Sequence, residues 1–197
     1  VKITNARLVG LAAMAAVLIA LTGMALAGGW TREGALMATR LTARWSFPWF
    51  MAAWMASSLA AVWPGGWRAG LLRRRRGVGL AFAANHGVHL VFILISAFVF
   101  NVETARIQIL GGGFGYLLIA LMAATSNNAS VRLLGPKLWR VLHSVGGWVV
   151  LGIFTNSYVG RLDGKPWLAI PALGLIALAL ALRLAAWLGR RQRLQAA

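Results

Sequence analysis

No cysteine occurs in this 197-residue chain, and aspartate and glutamate together number three. The first absence excludes disulfides, thiolate ligands, iron–sulfur clusters and the covalent attachment of c-type haem. The second weighs against proton-coupled transport, which wants acidic side chains inside apolar spans. Glu33, Glu103 and Asp163 all fall outside the apolar runs. Period-two alternation of apolar and polar residues is missing too, which excludes a transmembrane β-barrel. No internal repeat is visible. The connections between apolar runs are short and leave no room for a soluble domain.

What is present is apolar length. The chain is 60% hydrophobic, with a mean hydropathy of +0.74. Runs long enough to cover a bilayer core of about 30 Å recur along it. Six spans are expected, at 8–28, 46–66, 78–100, 107–126, 140–160 and 167–188. Only helices or closed barrels satisfy the backbone in lipid. The expected fold is therefore an all-α integral membrane protein, a six-transmembrane-helix bundle filling 1–197 as one domain. Lys2, Arg7 and the apolar run ending in Ala25-Leu26-Ala27 also resemble a secretory signal. The run is long for one, so a retained first helix is expected.

The net charge of +17 follows the topology of such a bundle. With the N-terminus in the cytoplasm, Lys2, Arg7, Arg68, Arg73 to Arg76, Arg132, Lys137, Arg140, Arg190, Arg191 and Arg193 face inward. That is thirteen basic residues, against six on the outer side: Arg32, Arg40, Arg44, Arg106, Arg161 and Lys165. All three acids lie outside. The positive-inside rule then puts both termini of a multi-pass membrane protein in the cytoplasm. The basic runs are read as a bilayer address and a contact for lipid headgroups, with no nucleic-acid partner.

His86, His89 and His143 are the only histidines. An imidazole inside a bilayer usually faces the protein interior, where it serves a function or pairs with another polar group. A spacing of three puts His86 and His89 on one helix face. Gly79, Ala83 and Gly87 form a strip of small residues where a helix or a flat cofactor could approach. Gly111 to Gly113 with Gly115 would look like a phosphate loop in a soluble protein. Here close helix contact is the better reading, because no Lys-Ser/Thr follows. Trp139 and Arg140 fit an interfacial anchor, with His143 one turn deeper.

At this point the chain resembles the ferric reductase-like transmembrane domain family, which includes the haem-bearing membrane parts of ferric reductases and NADPH oxidases. The family also includes the MsrQ-type haem subunit of the bacterial periplasmic methionine sulfoxide reductase system. The resemblance rests on an arginine-rich entry followed by Gly79, Leu80 and His89, and on Thr125-Ser126 followed by Leu134, Gly135, Trp139 and His143. It covers the third to fifth spans. It implies haem stacked between the third and fifth helices, held by histidine pairs at two levels. His89 matches the outer ligand of the third helix and His143 the inner ligand of the fifth. The remaining two positions depart from the pattern, since Asn156 stands thirteen residues after His143 and Arg75 fourteen before His89.

The resemblance thus implies a b-type haem protein of the bacterial inner membrane, passing electrons from a cytoplasmic flavoprotein or quinol to a periplasmic acceptor. One haem b is expected, with none or two as alternatives, and no flavin domain in this chain. The candidate iron ligands are His86, His89 and His143, with His86 and His143 as the least strained histidine pair. Met55 or Met122 could complete a site. Arg75, Arg76 and Arg140 are candidates for the haem propionates, and Asn85 and Asn156 for hydrogen bonds within the spans. The competing reading is a haem-free six-helix scaffold or assembly subunit, which Asn156 favours. A histidine proton-relay transporter is a weaker third.

Overall fold

A computed structural model describes residues 4–103 and 106–195. Six α-helices follow in order: α1 Asn5–Leu26, α2 Arg32–Val62, α3 Gly66–Leu94, α4 Arg106–Ala124, α5 Asn128–Val159 and α6 Pro166–Gln195. A single π-helical stretch, Ile95–Val99, extends α3. Among the described residues there is no strand. Helices α1, α5, α6 and the α3–π unit are long and apolar enough to cross a membrane, and Gln108–Ala124 is a shorter apolar helix.

The helices outrun the spans expected from hydropathy, because capping rather than charge ends them. Span two was expected to open at 46, yet α2 begins at Arg32. Thr31 caps it by accepting from the Gly34 N–H at 3.1 Å, and Glu33 suits the positive end of the helix dipole. Arg40 and Arg44 therefore sit on α2 rather than in a loop. Likewise Arg73 to Arg76 are helical, since α3 opens at Gly66 after Gly65, which adopts φ +94°. α5 is capped by Asn127, which accepts from the Ser130 N–H at 2.8 Å. It is broken at Gly135 (φ 74°, ψ 153°). Pro136 disfavours helical geometry in the residue before it, and glycine tolerates the resulting positive φ.

Packing follows from where the small residues lie. Ala12, Ala16 and Ala20 form an i, i+4 stripe on α1 and are fully covered, as are Ala35 and Ala38 of α2. α1 packs on α2 and α3, outside a ring that runs α2, α3, α4, α5, α6 and back to α2. Gly115 and Gly146 bring α4 against α5, where added Cβ atoms would meet Ile153 Cδ1 at 2.6 Å and Met122 Sδ at 2.7 Å. The small strip of α3 behaves differently. Gly79 only reaches Ala53 Cβ at 4.0 Å, and Gly87 has open space around it.

The ring is filled by aromatic and aliphatic side chains, among them Phe47, Phe50, Trp54, Phe82, Val150, Phe154 and Ile176. Its outside is apolar as well: Leu11, Leu18, Leu21, Phe114, Leu117, Leu178 and Leu184 are all exposed. An exterior this apolar suits lipid rather than water.

Candidate functional site

The site is built where α2 and α3 lie side by side. Thr42 and Ser46 stand one turn apart on α2, opposite His89 and His86 on α3. Thr42 Oγ1 lies 3.1 Å from His89 Nδ1, and Ser46 Oγ lies 3.0 Å from His86 Nδ1. Each hydroxyl has one proton, already donated along its own helix: Thr42 to the Ala38 carbonyl at 2.8 Å, Ser46 to the Ala43 carbonyl at 2.9 Å. With those protons on the carbonyls, each hydroxyl oxygen accepts from Nδ1–H and Nε2 keeps its lone pair; with the proton turned to the ring, Nδ1 accepts and Nε2 carries the hydrogen. The first arrangement leaves Nε2 able to ligate a metal.

Aromatic rings close the other sides. Tyr116 of α4 lies 5.0 Å from His86 and 6.5 Å from His89, centroid to centroid. Its buried hydroxyl has no partner. Phe82 lies 5.2 Å from His86 and Phe154 of α5 lies 5.9 Å from it. The two imidazoles are 5.1 Å apart. Two axial ligands of one iron, each bound at about 2 Å, would place their centroids about 6 Å apart on opposite sides of the porphyrin. His86 and His89 therefore do not sandwich a haem between them.

His143 forms a second, separate constellation. Thr125 donates to the Leu121 carbonyl at 2.7 Å and so accepts from His143 Nε2–H at 3.1 Å. Trp139 stacks on the imidazole at 4.2 Å and donates its Nε1–H to the Thr125 carbonyl at 2.9 Å. The structure thus brings together Thr125, Trp139 and His143. Since Phe154 lies beside His86, and His143 precedes it by eleven residues, His143 is about 16 Å away along α5. The expected pairing of His86 with His143 on one iron is ruled out by that depth.

The other candidates lie elsewhere. Asn156 is exposed on the outer side of α5 beside Gly152 and Val159, away from the imidazole pair. Arg75 donates to the Ala53 carbonyl at 3.1 Å, and Arg76 to Asn128 Oδ1 at 2.8 Å. Arg140 is exposed and folds back onto the Pro136 carbonyl at 3.0 Å. Met55 is buried in the aromatic core, and Met122 packs at Gly146, one turn beyond His143. Asn85 is fully buried with both amide atoms unpartnered.

Thr42, Ser46 and Tyr116 are the residues that sequence reasoning missed. Two hydroxyls four apart, hence on one helix face, are the available signal. Among the described residues no group of three or more His, Cys, Asp or Glu side chains is placed to hold a metal ion. A bare ion would need such a cluster, whereas a porphyrin supplies four nitrogens itself and asks the protein only for axial donors. The donor set fits a haem on the α3 side, and no second imidazole faces it. No protein-family model matches this chain, and no solved structure matches it.

Proposed function

We propose that the chain is a membrane-embedded b-type haem protein of the ferric reductase-like kind. It has six spans with both termini in the cytoplasm, and it passes electrons across the bacterial inner membrane. One imidazole of the α3 pair, His89 by its match to the family, would hold the haem iron. The observation that carries the reading is the pairing of His89 and His86 through Nδ1 with the Thr42 and Ser46 hydroxyls inside the bundle, which leaves each Nε2 outside that contact. Haem, when bound, supplies a one-electron couple.

The protein's own part is orientation and exclusion of water. Thr42 and Ser46 fix ring orientation and basicity through their contacts with Nδ1 of His89 and His86. Phe82, Tyr116 and Phe154 wall the pair with low-polarity surface, a setting that tunes a haem potential. Electrons enter from a separate flavoprotein or a quinol and leave to a periplasmic acceptor.

The haem-free scaffold is kept as a second reading because one observation favours it. Phe154 meets Phe50 at 5.5 Å, Phe47 at 5.1 Å and Phe82 at 6.3 Å, so packed rings occupy the seam between α3 and α5.

The test replaces the hydroxyls and leaves the imidazoles. Thr42→Val with Ser46→Ala should weaken haem retention about ten- to a hundredfold, the usual cost of losing an orienting partner. Transfer of haem to excess apomyoglobin measures it, with Ser58→Ala on the same helix as the control. Equal retention in both proteins would remove the support drawn from the hydroxyl contacts.

A further inference from the structure

Arg183 lies on α6 seven residues before Arg190, hence about 10 Å deeper along the helix than the terminal basic cluster. No carboxylate is at hand: Glu33 opens α2, and Glu103 and Asp163 belong to the opposite end of the bundle. Instead its guanidinium is set between two indoles, 4.6 Å from the Trp54 ring and 5.1 Å from the Trp148 ring. The indoles meet edge to face at 5.3 Å and 85°. Gly147 packs beside this box, where a Cβ would be in ordinary contact with Trp54 Cδ1 at 3.4 Å. Arg75 approaches from α3 and bonds to the carbonyl of Ala53, the residue before Trp54. Two cations thus converge on one turn of α2.

From Trp148 an open groove of about 460 Å³ continues along the seam of α5 and α6. It is lined by Trp148, Leu151, Gly152, Val159 and Leu180 with the polar Thr155 and Asn156, and its surface is mainly apolar. Gly152 forms its floor with open space where a side chain would be. Trp148 and Val159 are eleven residues apart, so the groove runs about 16 Å along α5, the length of a good part of an acyl chain. A guanidinium at one end of an apolar trough on a lipid-facing surface matches a molecule with an anionic head and an aliphatic tail.

We infer that the α5–α6 seam is a binding site for an anionic phospholipid, with the phosphate on Arg183 and one acyl chain in the groove past Trp148 and Gly152. Cation–π contact holds the Arg183 side chain in place while leaving its N–H donors for the phosphate oxygens.

The experiment reads Trp148 emission, taken as the difference between wild type and Trp148→Phe, in phosphatidylcholine vesicles doped with brominated-chain lipid. Brominated phosphatidylglycerol should half-quench Trp148 at a mole fraction about fivefold lower than brominated phosphatidylcholine, as one basic side chain near an anionic headgroup gives. Arg183→Gln should abolish the preference and Arg183→Lys keep most of it, which separates lost charge from lost folding. Gly152→Leu, which fills the groove, should reduce quenching by both lipids. Inorganic phosphate should not relieve it. Equal quenching by the two lipids in the wild type would overturn the site. So would a preference that survives Arg183→Gln. Relief by inorganic phosphate would assign the cations to a free anion instead and overturn the lipid.

Discussion

The double variant His86→Ala/His89→Ala should purify with less than about one-tenth of the wild-type haem, because losing ligands and the partners that orient them costs at least tenfold in affinity. The Soret band and the pyridine haemochrome give the number. His143→Ala should keep its haem. That imidazole is committed to Thr125 through Nε2 and stacked on Trp139, about 16 Å along α5 from the level of His86. The reverse result, loss in His143→Ala and retention in the double variant, would move the site to the basic end of the bundle.

Gly34→Ala should destabilise the fold by about 3 kcal/mol, the sum of overpacking and a lost helix cap. Gly34 is the third residue of α2, and a Cβ there would lie 2.0 Å from the Gly29 carbonyl oxygen and 3.3 Å from that of Met24. Both are backbone atoms, so no side chain can swing aside. The turn between α1 and α2 would have to open, breaking the Gly29 N–H bond to Met24 or the Thr31 cap. The register of α2 starts at this turn, and eight residues on it carries Thr42 to His89. Gly113→Ala is the control, since nothing lies within 4 Å of a Cβ there. Thermal unfolding in detergent, followed by circular dichroism, reads both. An undiminished Gly34→Ala would contradict the tight α1–α2 turn.

Much of the fold was legible in the sequence because lipid leaves few choices. Six apolar runs gave six helices in the right order. The helices run past the expected spans: Arg40, Arg44 and Arg73 to Arg76 ride on continuous helices whose starts are fixed at Thr31 and Gly65. Thr42 lies on α2 before the expected second span, so hydropathy does not match it to His89.

Spacing alone placed His86 and His89 on one face, as found. For Asn156 spacing argues against a place on the His143 face. Thirteen residues are about 3.6 turns, which carries Asn156 to the far side of α5 from His143, while Phe154 at eleven shares the His143 face. Tyr116 was invisible for a different reason. Its place against the pair depends on how α4 meets α3 and α5, which is set by Gly115 and Gly146 rather than by any local pattern.

A dithionite-reduced minus oxidised spectrum of the detergent-purified wild type, quantified as pyridine haemochrome, tests the central proposal most directly. A reduced Soret band and about one haem per chain are expected, since in the proposed site one imidazole of the α3 pair would hold the iron. A protein that stays colourless after expression with ample haem would contradict the electron-transfer reading and leave the scaffold in its place.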